Sequence, residues 1–130
     1  MISKYFGKEE CVKTNTGLLN IMNSEEEENV KELCINVLDK VREEFGITIC
    51  SSIFRSYEVN KRVGGVKTSH HRSQNGYAAA DIIKSGDATQ QEIYDFIKNN
   101  CEFCQLIFEP TWIHVSYNKN NNKKQCLDLR

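Results

Sequence analysis

The first strong pattern of apolar and polar positions lies between residues 25 and 45. Apolar side chains recur there at spacings of three and four residues, the period of an amphipathic helix. Ser24 and Glu27 stand at capping-box spacing before the run, and Gly46 follows it as a left-handed C-cap would. The pattern therefore predicts a helix over 25–45 with one broad face in the core.

A second capping-box pair, Thr89 with Glu92, predicts another helix that runs to about Asn100. Four short apolar runs predict strands, and these cover residues 47–54, 78–83, 103–108 and 112–117. The order of these elements predicts an α+β domain with a small, mostly antiparallel sheet on which the two main helices pack.

Two segments lack any periodic pattern. Residues 55–77 are polar and rich in Gly, Ser and His, which predicts a long loop of a kind that is uncommon in a small domain and often functional. The tail, residues 118–130, is rich in Asn and Lys and is predicted to be loosely held. No linker or repeat divides the chain, so residues 1–130 are interpreted as a single domain.

The composition of the chain excludes several classes of protein. With 39% hydrophobic and 27% charged residues over 130 positions, the chain has the composition of a globular domain rather than a disordered one. A net charge of −1 argues against general nucleic-acid binding, which needs a basic face. No apolar run is long enough for a membrane span or a signal peptide, so we expect no membrane partner and synthesis in a cytoplasm.

Six cysteines without a secretion signal predict reduced, structural thiols. Cys101 and Cys104 form a CxxC, but no second pair follows at zinc-finger spacing. A redox or metal role for that pair stays open, as does a cysteine peptidase that uses Cys50 or Cys104 with a histidine.

The chain has three histidines, the adjacent His70 and His71 in the polar loop and His114 in the last predicted strand. Strand alternation places His114 on one face with Trp112 and Ser116. Asp81 closes a strand of small residues, where a carboxylate needs a partner. Two imidazoles and one carboxylate suit Zn²⁺ and leave a fourth position for a water of lowered pKa. From the residues alone, a structural His114 and a solvated His70-His71 pair remain alternatives.

A family resemblance covers nearly the whole chain. The motifs that carry it are Arg55-Ser56, Asn60, Gly64-Gly65, Ser69-His70-His71, Ala78-Ala79-Ala80-Asp81 and Trp112-Ile113-His114. They resemble the zinc peptidases that cut bacterial cell-wall peptides. These include D-Ala-D-Ala carboxypeptidases and dipeptidases and the L-alanyl-D-glutamate endopeptidases of phage lysins, and they share the hedgehog-like fold. Residues 5–10, 28–30 and 41–46 also resemble the small phage-type members of this family.

The resemblance implies that His71, rather than His70, binds Zn²⁺ together with Asp81 and His114. The spacing differs from the family motif Ser-x-His-x-x-Gly-x-Ala-x-Asp, because three more residues separate His71 from Asp81 here. We expect an insertion that bulges out between residues 72 and 75 and keeps both ligands. Without such a bulge, Gln74 would stand at the ligand position.

The resemblance also implies roles for residues outside the metal shell. Arg55 matches the arginine that faces the substrate's carbonyl or carboxylate, and Ser69 and Trp112 are assigned to substrate binding. Glu109 is the candidate general base, although relatives place that acid three residues before the last histidine and Glu109 lies five before His114.

The predicted function is zinc-dependent hydrolysis of peptidoglycan stem peptides by a phage or prophage enzyme. Such an enzyme would act on the cell wall after lysis or as part of a virion, with other particle proteins as partners. The altered spacing favours one alternative from a different class. That alternative is a non-catalytic structural or binding module of a phage particle that keeps the peptidase fold.

Overall fold

The computed structural model describes residues 1–130 and centres on one five-stranded sheet with the order β1-β2-β4-β3-β5. The strands are β1 (Thr48–Ser52), β2 (Tyr77–Ser85), β3 (Gln105–Phe108), β4 (Ile113–Asn118) and β5 (Gln125–Asp128). The helices are α1 (Lys8–Cys11), α2 (Ser24–Leu33), α3 (Asp39–Phe45), α4 (Tyr57–Arg62) and α5 (Gln90–Asn100). The predicted α+β class with a mostly antiparallel sheet is confirmed.

The first predicted helix is continuous but carries a π-helical segment, Cys34–Leu38, between α2 and α3. Its N-cap is Asn23 rather than Ser24. The Asn23 side chain accepts a 2.8 Å hydrogen bond from the Glu26 backbone amide, and the Glu26 carboxylate accepts one of 2.8 Å from the Asn23 backbone amide. Asn23–Glu26 and Ser24–Glu27 have the same spacing, so the sequence alone did not separate them. Gly46 ends the helix, as predicted, but its φ of +107° and ψ of −159° differ from the left-handed helical C-cap that was expected.

The sheet separates a core face from an open face. The helices cover the core face, whose strand residues include Ala78, Ala80, Ile82, Ile113 and Val115. On the opposite face, strand pairing sets Asp81 directly against His114 and Ala79 against Ser116. Ile107 of β3 lies on the other side of His114. The alternation predicted for residues 112–117 is therefore observed, and it keeps the polar residues off the core.

The segment 55–77, predicted to be a loop throughout, contains helix α4 and a 3₁₀ turn, His70–Arg72. Helix α4 escaped the sequence analysis because it is short and buries only Val59 and Asn60. The Ser56 hydroxyl caps it by accepting a 3.3 Å hydrogen bond from the Val59 amide.

The sequence analysis expected a loosely held tail over residues 118–130, but part of this tail forms a strand. Strand β5 pairs in parallel with β3 along residues 125–128. Its single partly buried apolar stretch is too short for periodicity to detect, and the neighbouring strand supplies the hydrogen bonds.

All six cysteines are free thiols, and only Cys126 is not buried. Burial raises the pKa of the Cys50 thiol well above its ordinary value, which keeps this thiol protonated. None of the helices combines the length and the hydrophobicity that a membrane crossing needs.

Candidate metal centre

Three donor groups meet on the open face of the sheet. Asp81 on β2 and His114 on β4 are directly paired residues, and the 3₁₀ turn lays His71 over them. One donor atom from each of the three lies within 4.8 Å of the other two. The structure therefore brings together the three residues that the sequence analysis selected as ligands.

The protonation of His71 follows from its hydrogen bonds. Its Nδ1 lies 2.7 Å from the carbonyl oxygen of Ile53. Because a carbonyl only accepts, Nδ1 carries the proton. Burial lowers the pKa of His71, so the imidazole is neutral and Nε2 presents a lone pair. This hydrogen bond fixes both the tautomer and the ring orientation, as it does for histidines that bind metals.

Asp81 stands at the middle of the cluster. Its Oδ1 lies 3.3 Å from Nε2 of His71 and 2.9 Å from Nδ1 of His114, and its Oδ2 lies 3.3 Å from Nη2 of Arg55. Burial alone would raise the pKa of Asp81, but its contacts with the imidazoles, first of all the hydrogen bond with His114, outweigh burial and lower it below its ordinary value. Asp81 is thus an ionised carboxylate at neutral pH.

These distances fit a zinc ion. Donors about 2.0–2.1 Å from a tetrahedral ion lie about 3.3 Å from one another, which matches the 3.3 Å between His71 Nε2 and Asp81 Oδ1 and exceeds the 2.9 Å between His114 Nδ1 and the same oxygen. The unprotonated Nε2 of His71 also faces a carboxylate oxygen, so two lone pairs oppose each other with no proton between them. A cation held by both atoms removes that repulsion. The donor set, two imidazole nitrogens and one carboxylate oxygen, is one that zinc accepts.

The longer spacing between His71 and Asp81 is absorbed by a tight turn. Ser73 and Asn75 have φ values of +56°, and Gly76 has a φ of +84°. The Asn29 side-chain amide donates a 3.0 Å hydrogen bond to the Ser73 carbonyl, which fastens the turn to α2. Gln74 points into solvent rather than toward the cluster. The expected bulge is therefore present, and Gln74 does not replace a ligand.

Arg55 is held beside the cluster by three side chains. Its guanidinium donates to Ser52 Oγ at 3.0 Å, to Asn60 Oδ1 at 3.4 Å and to Asp81 Oδ2 at 3.3 Å. Gly65 leaves room for this arrangement, because an added Cβ would collide with Asn60 and lie 3.2 Å from Arg55 Nη1. Arg55 is thus bound to a candidate ligand, a contact that the sequence analysis did not foresee.

The other predicted site residues surround the cluster. The Ser69 hydroxyl accepts a 3.2 Å hydrogen bond from the His71 amide, so it shapes the ligand turn. Glu109 and Trp112, both partly buried, lie in the turn between β3 and β4, where the Gln90 side chain donates to both of their carbonyls at 2.7 and 2.9 Å. The carboxylate of Glu109 has no ion pair or hydrogen bond. The catalytic and substrate-binding roles of these residues stay predictions.

His70 is directed away from the ligand cluster. Its Nδ1 lies 2.9 Å from Ser116 Oγ, and its ring stacks on Tyr77 with centroids 3.9 Å apart. Burial first, and then the nearby His114, His71 and Lys123, lower the pKa of His70 to about 4. The sequence analysis named Asn60 only as a motif residue without a role, and it missed Tyr77 as a neighbour of the site. Alternation signalled only Ser116, which shares a strand face with His114.

Comparison with known proteins gave one family. A family model described as Peptidase M15 matches residues 4–116 of the chain, a range that includes all three candidate donors and every predicted site residue. No curated protein matches the chain.

Proposed function

The chain belongs to the peptidase M15 family, and from that premise we propose that it is a zinc peptidase that hydrolyses amide bonds of peptidoglycan stem peptides. The observation that carries the proposal is the meeting of His71, Asp81 and His114 within 4.8 Å on the sheet face opposite the core. The family match supports a metallopeptidase, and the donor set supports zinc as its metal.

The donors that would hold zinc are His71 Nε2, Asp81 Oδ1 and His114 Nδ1. When bound, zinc supplies a Lewis acid that polarises the scissile carbonyl and lowers the pKa of a water. The chain's own contribution is to fix the donors. Ile53 holds the His71 tautomer through its carbonyl, and Arg55 holds the second oxygen of Asp81.

Glu109 is proposed as the general base. The hydrolysis needs a carboxylate that takes a proton from the attacking water and delivers it to the amide nitrogen as the C–N bond breaks. Phe108, the last residue of β3, lies in the core, and Glu109 follows it directly, which supports a Glu109 side chain on the side of the sheet that carries His114. Its carboxylate is free of protein partners, which leaves it available for this proton transfer.

Arg55 is proposed to serve both the metal shell and the substrate. Three of the five guanidinium N–H groups are used by Ser52, Asn60 and Asp81. The two remaining donors can hydrogen-bond to the oxygen that gains negative charge during hydrolysis. Ser69 and Trp112 are proposed to contact the peptide beside it.

The proposed biological setting is a phage or prophage enzyme that meets peptidoglycan after lysis or as part of a virion. In that setting, other particle proteins would be its partners. The bond cleaved, either within the stem peptide or at its carboxyl end, lies next to a D-amino acid.

The test combines metal analysis with hydrolysis of defined peptides. We expect one zinc per chain, and cleavage of a synthetic stem peptide that stops with a chelator and returns with zinc. Mass spectrometry of the products then distinguishes an endopeptidase from a carboxypeptidase. Glu109→Gln should lose cleavage but keep zinc, whereas the exposed Glu102→Gln should keep both. A folded protein that holds no zinc and cleaves no peptide would instead be a non-catalytic module.

A further inference from the structure

A polar cavity of about 520 Å³ opens beside the turn that carries His71. Its walls include Lys67, Ser69, His70, Arg72, Asn75 and Tyr77. Two of these, Arg72 and Asn75, belong to the bulge that lengthens the chain between His71 and Asp81. The cavity is therefore partly a product of this chain's own insertion.

The cavity carries positive charge that the protein does not neutralise. Lys67 and Arg72 contribute two cations, and no acidic residue lines the walls. Neither cation belongs to any of the seven ion pairs of the structure. The Nε of Arg72 is buried without a hydrogen-bond acceptor, although the guanidinium lies 5.4 Å from the centre of the Tyr57 ring. A buried donor without a partner is rare and calls for an acceptor from outside the chain.

The cavity is joined to the candidate metal centre. Ser69 caps the turn that holds His71, and the His70 ring bonds to Ser116. Ser116 lies two residues from His114 on β4, a distance of about 7 Å along a strand. An extended peptide spans that distance with about two residues. The stacked rings of His70 and Tyr77 form a flat wall along this path.

We propose that this cavity is a substrate subsite that binds a free carboxylate of the stem peptide, one or two residues from the scissile amide. The inference rests on the proposed function, because it assumes a peptide on the metal centre. Guanidinium and ammonium groups bind carboxylates through charge-assisted hydrogen bonds, and a concave site strengthens these bonds by excluding water. The γ-linked D-glutamate of a stem peptide offers such a carboxylate.

The experiment uses two synthetic stem peptides that differ only in this group, a free α-carboxylate in one and a carboxamide in the other. Hydrolysis by the zinc-loaded protein gives kcat and KM, and calorimetry on the metal-free protein gives binding without turnover. We expect the acid peptide to bind roughly tenfold more tightly than the carboxamide peptide, a difference that corresponds to about one charge-assisted hydrogen bond. In the hydrolysis measurements this difference should appear in KM rather than in kcat.

Two variants test the assignment of the cations. Lys67→Ala and Arg72→Gln should each reduce the preference for the acid peptide over the carboxamide peptide, and Arg72→Lys should restore part of that preference. Lys98→Ala and Arg62→Gln, which remove exposed cations outside the cavity, should keep the full preference. Zinc content measured on every variant shows whether the ligand turn is intact.

The outcomes separate the two proposals. Equal binding and hydrolysis of both peptides would overturn the subsite and leave the peptidase assignment standing. An equal loss for both peptides in the Lys67 and Arg72 variants would also overturn it, because that result reflects a structural role. Failure of the zinc-loaded protein to cleave either peptide would overturn the proposed function itself.

Discussion

The two halves of the candidate metal centre are held in place by different means. Asp81 and His114 stand on neighbouring strands whose pairing continues over six residue pairs, from Tyr77 with Asn118 to Ile82 with Ile113. His71 stands on a 3₁₀ turn of three residues, His70–Arg72, outside the sheet. The strand pair is fixed by a cooperative register, whereas the turn depends on individual hydrogen bonds.

This difference matters because the two halves respond differently to change. Shifting the register of β4 would move the whole apolar set of that strand out of the core, so the strand pair is strongly specified. The turn instead relies on three separate hydrogen bonds. The Ile53 carbonyl accepts one from the His71 ring, the Arg55 backbone amide donates one of 2.8 Å to the His71 carbonyl, and the Asn29 side chain donates one to the Ser73 carbonyl. Variants of the turn should therefore alter metal binding at a smaller cost to the fold than variants of the strand core.

The largest expected effect comes from removing the turn-borne ligand. His71→Ala should lower zinc affinity by more than about 100-fold, because loss of a group that only orients a ligand already costs 10–100-fold. The measurement is competition with a chromophoric chelator. The matched control is His70→Ala, which removes the adjacent imidazole and should keep zinc. Equal loss in the two variants would contradict the assignment of His71 as the ligand.

The next largest effect is expected from removing the Arg55 guanidinium, which binds Asp81. Arg55→Gln should weaken zinc binding by about 10–100-fold, because it removes the partner of Asp81 Oδ2. Circular dichroism should show a retained fold. Arg62→Gln, an exposed arginine at the end of α4, serves as the control and should bind zinc as the wild type does. Unchanged affinity in Arg55→Gln would show that the register of β2 orients Asp81 without help.

A moderate effect is expected where the turn is fastened to α2. Asn29→Ala leaves the carbonyl of Ser73 without its donor in a buried place, at a cost of about 1–3 kcal/mol. Chemical denaturation should show this loss in the free energy of unfolding, and zinc affinity should fall with it. Asn36→Ala removes an amide that bonds only within its own helix, to the Glu32 carbonyl, and should leave zinc affinity unchanged.

The smallest effect belongs to the strand core. Ile113→Val removes one methylene from a fully buried side chain next to His114 and should cost about 0.5–1.5 kcal/mol of stability. Zinc affinity should not change, because the register that positions His114 persists. A drop in zinc affinity at full folding would show that the strand half is as sensitive to local packing as the turn.

Much of the fold was predictable because its elements carry local signals. The helix at Thr89 was confirmed by its reciprocal capping bonds of 2.9 and 3.1 Å between Thr89 and Glu92. Helix α4 and strand β5 were missed, since each is short and is stabilised by neighbours distant in sequence. Asp81 and His114 became candidate ligands because few residues of the chain offer such donor atoms at suitable positions, whereas the family resemblance chose His71 over His70. The structure brings the three residues together.

The sequence by itself determined which donors this protein offers and which strand face carries two of them, because side-chain alternation is a local property of a strand. Only the tertiary structure decided that the insertion leaves Gln74 exposed, that His71 presents Nε2, and that Arg55 binds Asp81. Each of these depends on a hydrogen bond between residues far apart in the chain, namely Asn29 with Ser73, Ile53 with His71, and Arg55 with Asp81. Such bonds leave no periodic trace in the sequence, since their geometry exists only once the chain has folded.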